Sequence, residues 1–187
     1  MSKINSYICV KIDTKMTIHV IGKGESKEFF KHDGNVTIGV NDVNRWVETD
    51  HIVMVDPITE SMRGVLLTTN AKFWSQLESN SIYVKHFNKI DLARGRGVLE
   101  DFDSEKFVYS ITSPFVAVHL AYKLGAKRIV MWGVDFNTHK NFNTDSLRNR
   151  ALKDFGNLRK KLNERGCELY VGNEISMFSS ILPILES

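Results

Sequence analysis

The stretch that decides the fold runs from Ile111 to Phe136 and reads ITSPFVAVHLAYKLGAKRIVMWGVDF. Ser113 and Pro114 predict the start of a helix, with Ser113 as its N-cap and Pro114 as its first helical residue. Apolar residues then recur at helical spacing up to Gly125, which stands where a left-handed residue would end the helix. We therefore expect a mostly apolar helix followed directly by a tight turn.

A buried strand is predicted after that turn, because Arg128 to Trp132 form a short and mostly apolar run. Gly133 and Asp135 follow at the carboxyl end of this strand. Helix, turn and strand together make half of a nucleotide-binding α/β unit, in which ligands bind beyond the carboxyl ends of the strands. Asp135 is therefore predicted to lie in the functional site.

The composition is that of a globular protein rather than a disordered one. The 187 residues suffice for one domain with a real core, and 42% of them are hydrophobic and 25% charged. The net charge of +3 is compatible with a phosphorylated ligand or a nucleic-acid partner but requires neither. Cys9 and Cys167 form no metal-binding or redox pattern, which favours reduced thiols. With no recognisable signal peptide and no apolar run long enough for a membrane span, we expect a cytoplasmic protein.

The first strong strand is predicted at 17–21 and leads into a Gly-x-Gly turn. Gly22, Lys23 and Gly24 form this turn, and a helix is predicted directly after it, from Ser26 to His32. Glycines at such a junction let backbone N–H groups approach a phosphate, and the helix N-terminus adds partial positive charge. The ammonium group of Lys23 would strengthen such binding, and the carboxylate of Glu25 would oppose it. A lone Gly-x-Gly is also common in plain tight turns, so the context decides its meaning.

Polar residues also end the next predicted strands. Asn41 follows a strand at 36–40, and Asp56 follows a strand at 51–55. Because the carboxyl ends of parallel strands meet at one edge of a sheet, both side chains are expected beside the Gly-x-Gly turn and Asp135. Each could be a simple helix cap, but polar residues at so many strand ends favour a ligand site.

The rest of the chain alternates between short strands and helices. Residues 1–15 are expected to be an N-terminal extension or an edge strand, and residues 16–187 to form one domain. Residues 85–110 are mostly polar and predict either a lid loop, with Arg94 and Arg96 near phosphates, or a solvated loop. The alternation predicts a single three-layer, Rossmann-like α/β domain with a mostly parallel sheet. The other predicted elements are strands at 63–69, 81–84 and 167–171 and helices at 71–77, 145–164 and 175–185.

These motifs resemble those of the bacterial sialyltransferases of glycosyltransferase family 42. The shared features are Gly-x-Gly-x-Ser after the first strand, strands that end in Asn and in Asp-Pro, and the central element from Ile-Thr-Ser to Gly-Val-Asp-Phe. A last strand reading Cys-Glu-Leu-Tyr-Val is also similar. The related hydroxymethylpterin pyrophosphokinase-like group, domain of unknown function 115, resembles the chain in the same way. The resemblance covers roughly residues 17–185 and implies a nucleotide-sugar-binding domain.

The resemblance assigns the residues of the first strand ends to the donor. It implies that the donor phosphate is held by the Gly-x-Gly-x-Ser turn, with Ser26 as its last residue. It also implies that Asn41 and Asp56 contact the donor nucleotide or its sugar. Lys23 and Glu25 stand where the family has Asn and Pro, so the identity of the nucleotide is left open.

The central element carries the rest of the implied site. Ser113 would contact the nucleotide, and Asp135 would lie near its base or ribose, with Gly133 beside it. The sialyltransferases use a histidine after the Gly-x-Asp strand as base, and His139 is the histidine in that part of this chain. We therefore predict His139 and Asp135 as the catalytic residues. Tyr109 is the nearest candidate for the family's leaving-group tyrosines.

The implied activity is transfer of a sugar from a nucleotide-sugar donor to a hydroxyl acceptor, a glycan or modified DNA. No cofactor or metal is expected for it. A first alternative is a pyrophosphokinase or nucleotidyl-type transferase, in which Asp56 and Asp135 would hold Mg²⁺ beside a triphosphate. A second alternative is a non-catalytic nucleotide-binding module. The basic face of the helix predicted at 145–164 would suit a large polyanionic acceptor, although such faces are usually only solvated.

Overall fold

The computed structural model describes residues 16–93, 99–137 and 144–185. The helices among them are α1 (Glu60–Thr68), α2 (Ser113–Lys123) and α3 (Asp145–Asn163). The strands are β1 (Thr17–Ile21), β2 (Val36–Val40), β3 (His51–Val53), β4 (Lys72–Ser75), β5 (His86–Lys89), β6 (Arg128–Trp132) and β7 (Glu168–Val171). They form one sheet in the order β5-β4-β3-β2-β1-β6-β7, with every pair parallel.

The alternation of side chains along and just after β3 separates two cores. Val53 belongs to the main core, together with α2, whereas Ile52 and Met54 belong to a smaller core that contains Leu66 of α1. Because neighbouring strand residues point to opposite faces, the helices cover both faces of the sheet. The predicted Rossmann-like α/β fold with a parallel sheet is confirmed.

The helix of the deciding stretch is the centre of the main core. Residues Ser113–Ala121 of α2 are all buried, and the helix contacts β1, β2, β3 and β6. The ring of Phe115 meets that of Phe155 of α3 edge-on, with centroids 5.4 Å apart. Gly125 ends the helix with a φ of +95°, as predicted. Full burial of one such aromatic side chain stabilises the fold by about 1.5–3 kcal/mol, so this stretch anchors the domain.

The sequence prediction is wrong between β3 and β5. The strand predicted at 63–69 lies in α1, and the helix predicted at 71–77 contains β4. The strand predicted at 81–84 overlaps a 3-10 helix, Glu78–Tyr83. Each segment is short, and in β4 the side chains of Phe73 and Ser75 are buried. Packing against the sheet overrides local propensity in such short segments.

The helices predicted at 26–32 and 175–185 are also wrong. Only 3-10 helices are present there, at Glu25–Phe29 and Met177–Ser180. The second cannot continue as a helix, because Pro183 lacks a backbone N–H and Ile184 pairs with β7. The longer helix predicted at 145–164 is confirmed as α3.

Residues 85–110 are structured in the parts that the structure describes. They contain β5, and Phe102 and Val108 are fully buried. The ring of His119, in α2, contacts the backbone of both residues. Its Nδ1 accepts a hydrogen bond from the Val108 N–H at 3.0 Å, and its Nε2 lies 2.9 Å from the Phe102 carbonyl oxygen. Burial lowers the pKa of His119 to about 4, so the ring is neutral at pH 7. Arg94 and Arg96 lie outside the described residues, as do residues 1–15, and the lid stays a prediction.

Candidate functional site

A cavity of about 750 Å³ opens at the carboxyl edge of the sheet. It lies where the chain order reverses, between β1 and β6, which is the position at which open α/β sheets bind ligands. The loops after β1, β2 and β6, the turn after β3 and the start of α2 form its wall. Most of the residues predicted for the site lie on this wall: Gly22, Lys23, Gly24, Asn41, Asp56, Ser113, Gly133 and Asp135.

Two predicted residues are not on the described wall. Ser26 is only 1% exposed and lies behind the loop that lines the cavity. His139 lies outside the described residues, in the segment that follows Asn137 of the wall. Its role as a base stays a prediction.

Ser26 and Asp135 join the loops after β1 and β6. The carboxylate of Asp135 accepts hydrogen bonds from the backbone N–H of Ser26 at 2.8 Å and from its hydroxyl at 2.5 Å. The same hydroxyl accepts a hydrogen bond from the N–H of Gly133 at 2.7 Å. We call these three residues the buried clamp. Asp135 is 4% exposed, so its carboxylate is already occupied in fixing the loops.

Gly22 and Gly24 allow the loops after β1 and β6 to come into close contact. The N–H of Gly22 donates to the Trp132 carbonyl, and the N–H of Gly24 donates to the Gly133 carbonyl, each at 2.7 Å. A Cβ on Gly22 would overlap the Gly133 backbone, and one on Gly24 would overlap the Asp135 carboxylate. These two N–H groups therefore do not form the phosphate cradle that the Gly-x-Gly turn suggested. The part of the glycines in ligand binding stays a prediction.

The start of α2 presents polar groups to the cavity. Thr112, not Ser113, is the N-cap residue, and no side chain caps the helix. The Ser113 hydroxyl instead lies 3.4 Å from the N–H of Val55, from which it accepts a hydrogen bond. Thr112 is 7% exposed and lines the cavity, and its hydroxyl oxygen has no partner among the described residues. A helix N-terminus with an unpaired hydroxyl suits an anionic group.

A second polar network fixes the position of Lys23. Its ammonium group lies 2.8 Å from the carboxylate of Asp42, and the guanidinium of Arg45 lies 2.7 Å from the other oxygen of that carboxylate. Burial alone would raise the pKa of Asp42, but hydrogen bonds and charges of Lys23 and Arg45 outweigh it and hold the pKa below its usual 3.8. We call these three residues the charged network. The Asp42 side chain is 8% exposed, whereas the Lys23 side chain is 39% exposed.

Asn41 and Asp56 form the side of the wall next to β2 and β3. Asn41 has a φ of +59°, and its N–H donates to the Val53 carbonyl at 3.0 Å. Asp56 is exposed, and its backbone carbonyl accepts a hydrogen bond from the Asn80 side chain at 3.1 Å. Both residues line the same cavity, as expected from their places at the strand ends.

Several wall residues were not predicted from the sequence. Thr112 could have been found, because it directly precedes a serine and proline that begin a helix. Asn137 could not, since its position depends on a hydrogen bond from its side chain to the Ile175 carbonyl. Tyr109, the candidate counterpart of the leaving-group tyrosines, does lie on the wall.

No metal centre is visible in residues 16–93, 99–137 and 144–185. No cluster of three or more His, Cys, Asp or Glu side chains there could hold a metal ion. The basic side chains of α3 are partly paired within the molecule: Arg150 lies 3.8 Å from Asp154, and Lys161 lies 3.8 Å from Glu164. A polyanionic acceptor at this helix stays a prediction.

Comparison with solved structures identifies a protein with a similar fold. The sialyltransferase CstII from Campylobacter jejuni, in complex with the substrate analogue cytidine-5'-monophosphate, matches 92% of this chain and 86% of its own, with a TM-score of 0.56 and 13% identity. This chain has the fold of a sialyltransferase. The same enzyme in complex with CMP-3FNeuAc matches 91% of this chain and 86% of its own, with a TM-score of 0.48 and 14% identity. No protein-family model and no curated protein sequence matches this chain.

The likeness extends to the fold and not to a specific family. At 13% identity it leaves membership of glycosyltransferase family 42 and the link to the pyrophosphokinase-like group as resemblances. Within the described residues, no helix is both long enough and apolar enough to cross a membrane. The cellular compartment stays a prediction.

Proposed function

We propose that this protein is a glycosyltransferase-like enzyme that transfers a sugar from a nucleotide-sugar donor to a hydroxyl acceptor. The observation that carries the proposal is the cavity at the reversal of strand order, in a chain with the fold of a sialyltransferase. Its volume of about 750 Å³ is in the range of small-molecule sites. Most residues that the sequence resemblance assigns to the donor lie on its wall.

The donor would be oriented by polar groups at the start of α2 and at the ends of the strands that border the cavity. An anionic group of the donor would lie at the start of α2, where the Thr112 hydroxyl has no partner among the described residues. Ser113 and Gly133 would border the nucleotide. Asn41 and Asp56, which line the cavity at the ends of β2 and β3, would accept hydrogen bonds from hydroxyl groups of the ribose or sugar.

The reaction would be a direct displacement at the anomeric carbon. The acceptor oxygen forms the new bond, its proton passes to a base, and the bond to the donor phosphate breaks with its electron pair on the phosphate oxygen. His139 is the proposed base, since an imidazole with a pKa near 6.5 suits removal of a hydroxyl proton at neutral pH. Asp135 would act as a positioning residue through Ser26 rather than as the base, because both its oxygens accept hydrogen bonds.

A ligand screen tests the donor site. A nucleotide or nucleotide sugar at one hundred times its dissociation constant adds about 2.7 kcal/mol of stability, a rise in melting temperature of about 5–10 °C. Thr112→Val should remove most of that rise without destabilising the free protein, because the lost hydroxyl has no hydrogen-bond partner among the described residues that would be left unpaired. Thr68→Val, on exposed α1 surface, is the matched control. Equal ligand shifts in parent and Thr112→Val would exclude this anion site.

A transfer assay tests the base. His139→Ala should leave donor binding unchanged and lower kcat by roughly 10²–10⁴. His86→Ala, an exposed histidine on the edge strand β5, is the control and should keep full activity. Full activity of His139→Ala would remove the histidine from the mechanism.

The runner-up is a Mg²⁺-dependent pyrophosphokinase or nucleotidyl-type transferase. One observation favours it: besides the buried Asp135, whose oxygens are occupied by Ser26, the described wall carries the exposed carboxylates of Glu25 and Asp56 against the single ammonium of Lys23. A divalent cation would offset this excess of negative charge. Turnover abolished by EDTA and restored by Mg²⁺ would select this function. Ligand binding without any turnover would select the non-catalytic module.

A further inference from the structure

We propose that Lys23 carries the positive charge that stabilises the departing phosphate, and that Asp42 is the residue that positions Lys23 for this role. The inference rests on the proposed function and deepens it. Among the described residues, Lys23 is the one cationic side chain on the cavity wall. It belongs to the loop after β1 and lines the same cavity as the start of α2.

The position of the ammonium group is set by the charged network. A lysine on an exposed loop samples many rotamers, and fixing it costs up to about 2 kcal/mol of side-chain entropy. Asp42 restrains Lys23 through a bond of 2.8 Å from a site that is 5% exposed. Because the folded protein already contains this restraint, a ligand that binds Lys23 does not have to impose it.

Arg45 keeps the network positively charged. A simple pair of Lys23 with Asp42 would be neutral and would attract a phosphate weakly. Arg45 occupies the other carboxylate oxygen at 2.7 Å, so the three side chains together carry a net charge of +1. The Lys23 ammonium has further N–H groups to donate to a ligand.

The charge would matter most in the transition state. As the bond between anomeric carbon and phosphate oxygen breaks, its electron pair moves onto the phosphate, and the negative charge there increases. A preorganised cation stabilises that charge more than the charge of the intact donor, so its loss lowers kcat as well as affinity. No proton has to leave Lys23 in this step.

Binding of phosphate-bearing and phosphate-free ligands tests the role of Lys23. The probes are the common ribonucleoside 5′-diphosphates and the matching nucleosides, measured by calorimetry on the full chain. Lys23→Met should weaken diphosphate binding about 10- to 100-fold and leave nucleoside binding unchanged, since a hydrogen bond to a charged group is lost. Lys23→Arg should retain most of the diphosphate affinity.

A double-mutant cycle tests the positioning role of Asp42. Asp42→Asn should weaken diphosphate binding in the parent but have no further effect in Lys23→Met, because Asp42 acts through Lys23. In the transfer assay both single variants should lower kcat more than they raise KM. Lys89→Met, which removes an ion pair with Glu78 away from the cavity, is the control and should leave diphosphate binding unchanged. Urea titrations of each variant check the fold.

The outcomes separate this inference from the proposed function. A parent that binds diphosphate, with the same preference over nucleoside in Lys23→Met, would overturn the inference and leave the nucleotide site standing. Additive effects of Asp42→Asn and Lys23→Met would overturn the positioning role. A parent that binds neither probe would overturn both the inference and the donor site on which it rests.

Discussion

The buried clamp and the charged network border the same loop after β1, and they differ in what they leave exposed. In the clamp, Ser26 and Asp135 are 1% and 4% exposed. Their hydrogen bonds join them to each other and join Ser26 to Gly133. In the charged network, Asp42 is buried, but the Lys23 side chain is 39% exposed on the cavity wall.

The two sets of residues therefore have different roles: the clamp sets the shape of the site, and the charged network sets its charge. A buried and mutually satisfied set of polar groups cannot meet a ligand, but it holds two loops at one distance. A half-exposed cation with a buried partner contributes little to stability, because solvent screens it, and it is available for binding. The clamp should therefore dominate stability, and the charged network should dominate affinity.

The largest expected effect is that of Asp135→Ala. It removes a charged acceptor from two buried donors of Ser26, which should lower the free energy of unfolding by about 4 kcal/mol. Urea denaturation measures it. Asp56→Ala, an exposed carboxylate on the same wall, is the control and should change stability by less than about 0.5 kcal/mol. Equal effects of the two variants would contradict the clamp.

Lowering the pH below neutrality should destabilise the protein through protonation of His119. The folded state holds the pKa of His119 at about 4, below its usual 6.5, so the unfolded state binds the proton more tightly. The stabilisation is complete above pH 6.5 and is lost as the pH falls toward 4, a change of about 3 kcal/mol. Stability measured across this range should fall steeply in the parent and less in His119→Gln, in which burial still lowers the pKa of His51. A parent curve that is flat there would show that the ring is not held neutral.

Ser26→Ala should cost less than Asp135→Ala. It removes the hydroxyl bonds to Asp135 and Gly133 but keeps the bond from the Ser26 N–H, so a loss of about 2 kcal/mol is expected. Combined with Asp135→Ala, its effect should be far from additive, because both changes break the same contacts. Thermal unfolding of the single and double variants checks this. Strict additivity would mean that the two side chains act independently.

The smallest expected effect is that of Asp42→Asn on stability, about 1 kcal/mol at neutral pH, since Lys23 and Arg45 are partly exposed. The folded state lowers the pKa of Asp42 below 3.8, so this stabilisation is present above pH 3.8 and is lost as the pH falls through the lower folded value. Urea titrations in a His119→Gln background isolate it. If the difference in unfolding free energy between the protein with Asp42 and the Asp42→Asn variant grew as the pH fell, the ion pair would be contradicted.

The sequence by itself determined those helices and strands whose own residues predict where they begin and end. Ile111–Phe136 contains a proline near the helix start, a glycine at its end and an apolar strand, and these local features give α2 and β6 where they were predicted. Strand ends at Asn41 and Asp56 follow from the same reasoning, because parallel strands share an edge. The short segments between β3 and β5 carry no such signal, and their structures were decided by contacts with the sheet.

Only the tertiary structure decided what the polar residues of the site do. Ser26 and Asp135 are separated by more than a hundred residues along the chain, and their hydrogen bonds exist because β1 and β6 pair directly. The sequence motif Gly-x-Gly suggested free backbone N–H groups, but the close approach of the two loops uses them. The restraint of Lys23 by Asp42 likewise depends on β1 lying beside β2, since spacing along a chain does not fix the distance between the ends of two strands.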